Sequence, residues 1–531
     1  MLDRGRLLKK TRQVCEKMNG AESLIRTALA GGVNVCFANP GTTEMALVAA
    51  LDAVEGMRAV LGLFEGVCTG AADGYARMAD KPALTLTHLG PGFANGIANL
   101  HNARRARSPV VNVIGDQATW HLAADAPLTS DIASLAHPVS AWVHEVKTPE
   151  SIATETAEAI ATAGGAPGRV ATLIVPSDCL WSPANGITKV LPVPALPPPS
   201  GDAVRQAAAT LKSRGSKAVM FLGSQAMRSR GLVAAGRIAA KTGCRLMCET
   251  FPSRIERGVG HPAVEKLPYF PEQALELLSK HEAIVLAGSL APVAFFGYPN
   301  LPSSLIPEGC TRETLATPEQ DTIAALEALA DEVAAPQAGS GAKLNRPQRP
   351  AGKLDSATVG AALAALLPEN CIVMDEAATT GLPFFSASAG APPHTYMALT
   401  GGAIGQGLPC ATGAAVACPD RKVIAFQADG SGMYTLQALW TQAREGLNVT
   451  TLICNNRRYR ILQVELARAG VTEPGRKARS LTSLAEPEIE WARIAGGMGV
   501  PAVRVETAEA LCGQLERALG EPGPNLIEML I

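Results

Sequence analysis

Two oxygen-bearing side chains, each directly after a short apolar run, define the chemistry this sequence could perform. The run Val423–Phe426 leads into Gln427, Ala428, Asp429, Gly430 and Ser431, and the run Thr450–Ile453 ends at Asn455 and Asn456. A carboxylate and an amide oxygen are hard donors suited to Mg²⁺, which in turn recruits diphosphate oxygens. Gly430 lets the backbone approach a phosphate, and a helix starting there offers unpaired N–H groups and the positive end of its dipole. Asp-Gly and Asn-Asn also make ordinary turns. Their spacing after two strands, which puts both at one carboxyl edge if the strands are neighbours, favours the metal reading.

Other residues stand at similar strand ends. Glu65 closes the run Leu61–Phe64; an acidic residue there also suits a helix N-terminus through the macrodipole. Thr42 and Glu44 lie in Asn39–Glu44, and His88 in Thr87–Gly92. An imidazole so placed could shuttle protons or hold a carboxylate, the alternative being a hydrogen-bonded core histidine. His101 and His121 fit helix or loop surfaces. The loop Thr400–Pro409 superficially matches a dinucleotide fingerprint at Gly402, Gly405 and Gly407, a weak signal without an acidic ribose partner.

The elements that must position these groups alternate short apolar runs with longer amphipathic ones. Strands are expected at Val33–Phe37, Ala83–Thr87, Val110–Ile114, Ala171–Ile174, Ala218–Leu222, Ala283–Leu286, Cys371–Met374, Val423–Phe426 and Thr450–Ile453. Short apolar strands separated by helical patterns indicate buried parallel sheets, with ligand sites at the strands' carboxyl ends. Two linkers are expected: proline-rich Leu191–Gly201, and Ala335–Lys353 with the composition of a mobile connector. The reading is an α/β chain of three tandem doubly wound parallel-sheet domains. These are an N-terminal arm (residues 1–19), then domains at 20–190, 202–334 and 354–531, joined by linkers 191–201 and 335–353.

Composition narrows the function classes. Basic and acidic residues balance, 47 against 48, so no nucleic-acid footprint or membrane patch is indicated. No run approaches the length of a membrane span, and the arm lacks the apolar core of a signal peptide. The 12 cysteines sit mostly in apolar runs. Cys244 and Cys248 lack the further ligands of a zinc site. Buried free thiols suit a reducing compartment, so a cytoplasmic location is expected.

With these motifs in hand, the sequence resembles the thiamine-diphosphate enzyme superfamily, whose cofactor signature is Gly-Asp-Gly, a spacer of similar length, then Asn-Asn. Within it the chain looks like the acetolactate synthase and benzoylformate decarboxylase branch, from about Gly20 onward. Ala72-Asp73-Gly74-Tyr75-Ala76-Arg77 is similar to the pattern after the family's catalytic glutamate. Ala428 replaces the first signature glycine. The resemblance implies a pyrimidine-binding, a central and a diphosphate-binding domain, with thiamine diphosphate and Mg²⁺ as cofactors. Asp429, Asn456 and the Arg458 carbonyl would hold the metal. Gly430, Ser431, Tyr459 and Thr379 would attend the diphosphate. The Gly402 carbonyl would accept the cofactor's exocyclic amine, and Ile404 would wedge between its rings. Glu65 would hydrogen-bond the pyrimidine and so activate the cofactor. Thr42 and His88 align with substrate-contacting positions.

The implied reaction is decarboxylation of a small 2-oxo acid to an enamine, released as an aldehyde or ligated to a second carbonyl. The alternative is a catalytically silent, cofactor-binding regulatory or structural subunit, which Glu65, Asp429 and Asn456 argue against. In the family the glutamate and the metal site of one cofactor come from different subunits, so a homodimer or homotetramer is implied. Two departures bear on substrate choice: Ala291–Tyr298 offers phenylalanines where benzoylformate decarboxylase has a histidine, and Glu465 takes the place of acetolactate synthase's specificity tryptophan. No flavin fingerprint marks the middle segment, so FAD is not expected.

Overall fold

The computed structural model describes residues 18–339 and 341–531, so most of the expected N-terminal arm lies outside the described residues. Three sheets organise the chain. The first has six parallel strands in the order Arg58–Leu61, Val35–Ala38, Ala83–His88, Val110–Asp116, Val170–Pro176, Trp142–Glu145. Val110–Asp116 and Val170–Pro176 are buried along their whole length. Strands covered on both faces need continuous apolar runs, which is why these two were visible in the sequence.

The second sheet is also parallel, in the order Glu265–Lys266, Arg245–Cys248, Ala218–Leu222, Ala283–Ala287, Thr311–Ala316. The third runs Ala502–Val505, Asn525–Leu530, Val449–Asn455, Val423–Ala428, Ile372–Glu376, His394–Ala398, Ile255–Arg257. Its last pairing is antiparallel and departs from a purely parallel sheet. Ile255–Arg257 belongs by sequence to the middle segment, yet it completes the third sheet. Ile255 is buried, and the Arg257 guanidinium stacks 3.4 Å from the Phe385 ring centroid while donating to the Phe385 carbonyl. The aromatic face and the acceptor offset part of the cost of burying this cation.

The first and third sheets meet through two helices, Glu65–Ala79 and Gly407–Ala417. A side chain on Gly74 would place its Cβ 1.9 Å from the Cys410 carbonyl oxygen, and one on Gly413 would meet the Ala71 carbonyl at 1.8 Å. These glycines permit backbone-to-backbone packing, the close contact that the chain's Ala- and Gly-rich composition favours. The Asp73–Arg77 ion pair, 2.7 Å and almost fully buried, locks this junction. Arg77 also donates to the carbonyls of Ser253 and Ala398 and to Thr400 Oγ1. One guanidinium therefore ties residues from all three segments, and its remaining donors are satisfied rather than stranded.

Apart from Gly201, which starts a helix, the described residues of both expected linkers lie outside helices and strands. The second is tied to its neighbours by hydrogen bonds and an ion pair. The Asn345 N–H donates to the Gly390 carbonyl, Arg346 donates to the Ala365 carbonyl, and Arg349 pairs with Glu516. Composition reports low apolar content but is blind to such bonds.

Candidate active site

Strands Val423–Ala428 and Val449–Asn455 are parallel neighbours, with Ala428 opposite Cys454. Asp429 and Asn456 therefore emerge side by side at the carboxyl edge of the third sheet. Asp429 is 2% exposed, and its carboxylate accepts the N–H groups of Gly430 (2.9 Å) and Arg457 (2.7 Å). Burial pushes its pKa up from the ordinary aspartate range to about 6. A buried carboxylate met by backbone dipoles is suited to a cation that would restore its full charge. The Asn456 side-chain amide oxygen Oδ1 lies nearby and accepts the Arg458 N–H at 3.0 Å. Among the described residues no three His, Cys, Asp or Glu side chains converge on a metal position. A cation here would instead rely on one carboxylate, neutral oxygens and the oxygens of a bound diphosphate, a set that suits Mg²⁺.

A single cleft is lined by Asp429, Gly430, Ser431, Asn456, Arg458, Tyr459, Thr379 and Ile404. These residues come from four separate turns, and the tertiary fold gathers all eight. A Cβ on Gly430 would lie 2.5 Å from the Tyr459 ring, so glycine there makes room for that ring against the turn. The donor set, a recessed carboxylate beside a glycine-floored turn and two hydroxyl side chains, fits a magnesium diphosphate. Gly402 is not on the cleft wall but lies two residues before Ile404, in the left-handed region at φ +80°. Its open face is covered by the Phe295 ring, 2.7 Å from where a Cβ would stand.

Glu65, His88 and Thr42 are not part of that cleft wall. They cluster at the carboxyl edge of the first sheet. Glu65 begins its helix, is 9% exposed, and accepts a hydrogen bond from Asn95 Nδ2 at 3.0 Å. Gly92 separates it from His88: a Cβ there would come within 2.8 Å of Glu65 Oε1 and 3.2 Å of the His88 Cβ. His88 Nδ1 lies 2.8 Å from Glu44 Oε2. With the proton on Nδ1, the ring donates to the carboxylate and Nε2 becomes the acceptor nitrogen. Glu44 is fully buried and also receives the Gly41 N–H (2.7 Å) and the Thr43 hydroxyl (2.5 Å). It fits only because Gly115, opposite, has no side chain; a Cβ there would lie 1.8 Å from Glu44 Oε1. Thr42 is exposed at the start of the same turn.

The two edges approach each other inside one chain. Asn99 Nδ2 donates to the carbonyl of Gly66 (2.8 Å) and to that of Gly405 (3.3 Å). His101, half-buried on its helix, also touches this loop, with Nε2 3.0 Å from the Gly401 carbonyl. Three residues that are not glycine adopt left-handed backbone at site turns: Leu89 after His88, Ala378 before Thr379, and Arg457 between Asn456 and Arg458. Each such conformation costs roughly 1–3 kcal/mol and persists where the surroundings over-determine it, which functional sites commonly do.

Sequence reasoning passed over several contributors. Asn95 was not singled out, and Glu44 was named only as part of its turn; its contact with His88 spans 44 residues, which no local pattern reveals. Glu376 is legible in retrospect, as an acid closing the buried strand Ile372–Glu376. It accepts the N–H groups of Gly405 (2.6 Å) and Gly407 (2.5 Å) and so shapes the glycine loop, while burial pushes it up to about 7. At the cleft's other end, Tyr396 accepts from Lys266 (3.3 Å) and donates to Asp375 (2.8 Å), linking the second sheet to the third.

With this geometry described, similarity to known proteins is informative. Residues 18–135 match the family "Thiamine pyrophosphate enzyme, N-terminal TPP binding domain", and residues 383–529 match its "C-terminal TPP binding domain". The chain is 51% identical over 515 residues to a Mycobacterium tuberculosis protein named as an acetolactate synthase large subunit, IlvX, covering 97% of this chain and 99% of that one. It is 30% identical to benzoylformate decarboxylase of Pseudomonas aeruginosa, over 94% of this chain and 96% of that protein. Among solved structures, the thiamine diphosphate-dependent 4-hydroxybenzoylformate decarboxylase of Rhodococcus jostii superposes with a TM-score of 0.84 at 26% identity, covering 97% of this chain and 99% of that chain.

Proposed function

This chain belongs to the thiamine pyrophosphate enzyme family, and from that premise we propose that it decarboxylates a 2-oxo acid with thiamine diphosphate and Mg²⁺. The observation that carries the reading is the cleft uniting Asp429, Asn456, Ser431, Thr379 and Ile404. When bound there, the cofactor supplies the electron sink that makes loss of CO₂ from a 2-oxo acid feasible.

The chain's own residues do the rest. Asp429, the Asn456 side chain and the Arg458 carbonyl would hold the metal. The Ser431 and Thr379 hydroxyls and the backbone at Gly430 would take the diphosphate, with Tyr459 against that turn. The Gly402 carbonyl would accept from the cofactor's amine, and Ile404 would pack against its rings. Glu65, steadied by Asn95, would hold a proton at the pyrimidine end. His88, oriented by Glu44, stands with Thr42 where a 2-oxo acid's carboxylate or the departing product needs a proton or a hydrogen bond.

The cleft wall within one chain contains neither Glu65 nor His88, and in this reading a partner subunit would bring those groups to the pyrimidine end of the cofactor. Exposed apolar side chains border both half-sites: Met45, Val48 and Leu63 near Glu65 and Thr42, and Phe295, Leu382 and Leu462 near the cleft. A second copy would cover both, which supports a homodimer or homotetramer. All eleven cysteines among the described residues are free, and no helix among those residues is long and apolar enough to cross a membrane; the thiols suit the cytoplasm.

The test is direct. The protein is incubated with thiamine diphosphate, Mg²⁺ and a panel of aliphatic and aromatic 2-oxo acids, and CO₂ and the organic product are both measured. CO₂ release that depends on the cofactor, and is lost on chelation of the metal, is expected. Its absence across the panel returns the chain to the silent, cofactor-binding reading.

A further inference from the structure

Thr379 faces the cleft from the turn that follows strand Ile372–Glu376, and that turn is strained. Ala378, exposed beside it, takes left-handed backbone at φ +50°, a conformation that a residue with a Cβ keeps where its surroundings enforce it. The Thr380 and Gly381 N–H groups return to the Ala377 and Ala378 carbonyls at 3.0 and 3.2 Å, which makes one unit of residues 377–381. Asp375 grips both ends of it. Its Oδ1 accepts the Ala377 N–H at 2.9 Å, and a Cβ on Gly381 would stand 2.5 Å from the same oxygen. The next residue, Glu376, points to the opposite face of the strand and holds the glycine loop at Gly405 and Gly407. Two adjacent acids thus grip two different walls of one cleft.

Asp375 is itself held from the middle segment. Tyr396, on the neighbouring strand, donates to Asp375 Oδ2 at 2.8 Å and accepts from Lys266 Nζ at 3.3 Å. A phenol that gives to a carboxylate while it takes from an ammonium is charge-assisted on both sides, so the chain of bonds is stiffer than a neutral one. The same ammonium stands 4.7 Å from the Phe385 ring centroid and 5.4 Å from that of Tyr396. Phe385 belongs to helix Leu382–Ala387, into which the turn leads. Lys266 therefore touches what lies before the turn and what lies after it. All four residues, Lys266, Tyr396, Asp375 and Thr379, line the cleft.

We propose that Tyr396, anchored by Lys266, is a positioning residue for the cofactor: through Asp375 it fixes the turn so that the Thr379 hydroxyl points at the diphosphate. This rests on the thiamine diphosphate reading above. It makes the middle segment, which supplies none of the metal and diphosphate donors of the proposed site, a determinant of cofactor affinity. Nothing in this role acts on the reacting atoms. A loosened turn is therefore felt in cofactor retention and not in the rate of the loaded enzyme.

A double-mutant cycle tests this. Thiamine diphosphate binding in the presence of Mg²⁺ is measured by calorimetry on the full chain, on Y396F, on T379V and on the double variant, beside kcat at saturating cofactor. T379V should weaken binding about 10- to 100-fold and Y396F about three- to tenfold. The double variant should bind no more weakly than T379V alone, because Tyr396 acts through Thr379, and kcat of Y396F should stay near wild type. Losses that multiply, an unchanged affinity in Y396F, or a fall in kcat with affinity intact each overturn the proposal. K266M takes the place of Y396F in the same cycle if Y396F does not fold. Amide hydrogen exchange over residues 376–382 of cofactor-free protein separates the proposal from the reading beneath it. If the wild type binds no thiamine diphosphate, the cofactor reading falls; exchange that is faster in Y396F than in wild type then still upholds the grip on the turn, and equal exchange overturns it as well.

Discussion

The two carboxyl edges of this protein handle a buried acid in opposite ways. At the third sheet, Asp429 meets only backbone: the N–H groups of Gly430 and Arg457. At the first sheet, Glu65 and His88 are set by other side chains, Asn95 and Glu44. Backbone donors come with the turn and cannot be changed by substitution, so they suit the task of holding a metal and a diphosphate. Side-chain partners adjust the position and proton affinity of a reacting group one residue at a time. On the proposed function, the third sheet would hold and the first would tune. The variants that follow are chosen to separate those tasks.

The largest effect is expected from Glu65→Gln, which keeps the hydrogen bond to Asn95 but removes the proton-sharing group. kcat should fall about 10²- to 10⁴-fold, while cofactor binding, followed by tryptophan fluorescence, stays near wild type. A variant that lost binding instead would place Glu65 in the holding half. Asp429→Ala should do the reverse, weakening Mg²⁺-dependent cofactor retention by at least about 100-fold. Retention that proved indifferent to Asp429 would remove the metal from this edge.

Glu376 offers a pH test of the third-sheet edge without any cofactor. Its carboxyl sits near 7 when folded, against an ordinary value of 4.5. Below that ordinary value both folded and unfolded chains are protonated and nothing is lost. As pH rises from about 4.5 to 7 the unfolded chain ionises first, so stability falls, and it levels off above the folded pKa. Relative to Glu376→Gln, wild type should lose up to about 3 kcal/mol between pH 5 and 7.5, read from urea midpoints. A difference that did not change with pH would mean that the carboxyl ionises as easily folded as unfolded.

The smallest expected effect belongs to Glu44→Gln. His88 loses a carboxylate partner but keeps a hydrogen-bond acceptor, so kcat/KM should drop roughly 10- to 100-fold through misorientation. The diagnostic is an altered pH–rate profile with cofactor affinity unchanged. A uniform loss of folding would mark Glu44 as merely structural.

Much of the third-sheet cleft was legible in the sequence because its signals are local. Asp429-Gly430 and Asn455-Asn456 follow apolar strands, and the strand register needs only the assumption that those strands are neighbours, as they are. The tuning half was less legible. Glu65 was found through the run that follows it, whereas Glu44 and Asn95 act across strands and helices, where spacing in sequence says nothing. Glu465 was flagged as a departure, yet its tie to Tyr298 spans 167 residues. The strand Ile255–Arg257 was missed because three residues carry too short a pattern to read.

By itself, the order of amino acids determined that the chain alternates buried strands with helices, and which turns end in metal- and phosphate-seeking groups. Both properties are written in residues a few positions apart. Only the tertiary structure decided which donors meet Glu44 and Glu376, which glycines let two helices touch, and that one arginine joins three segments. Those outcomes depend on contacts between distant parts of the chain, whose energies exist only once solvent has been excluded between them.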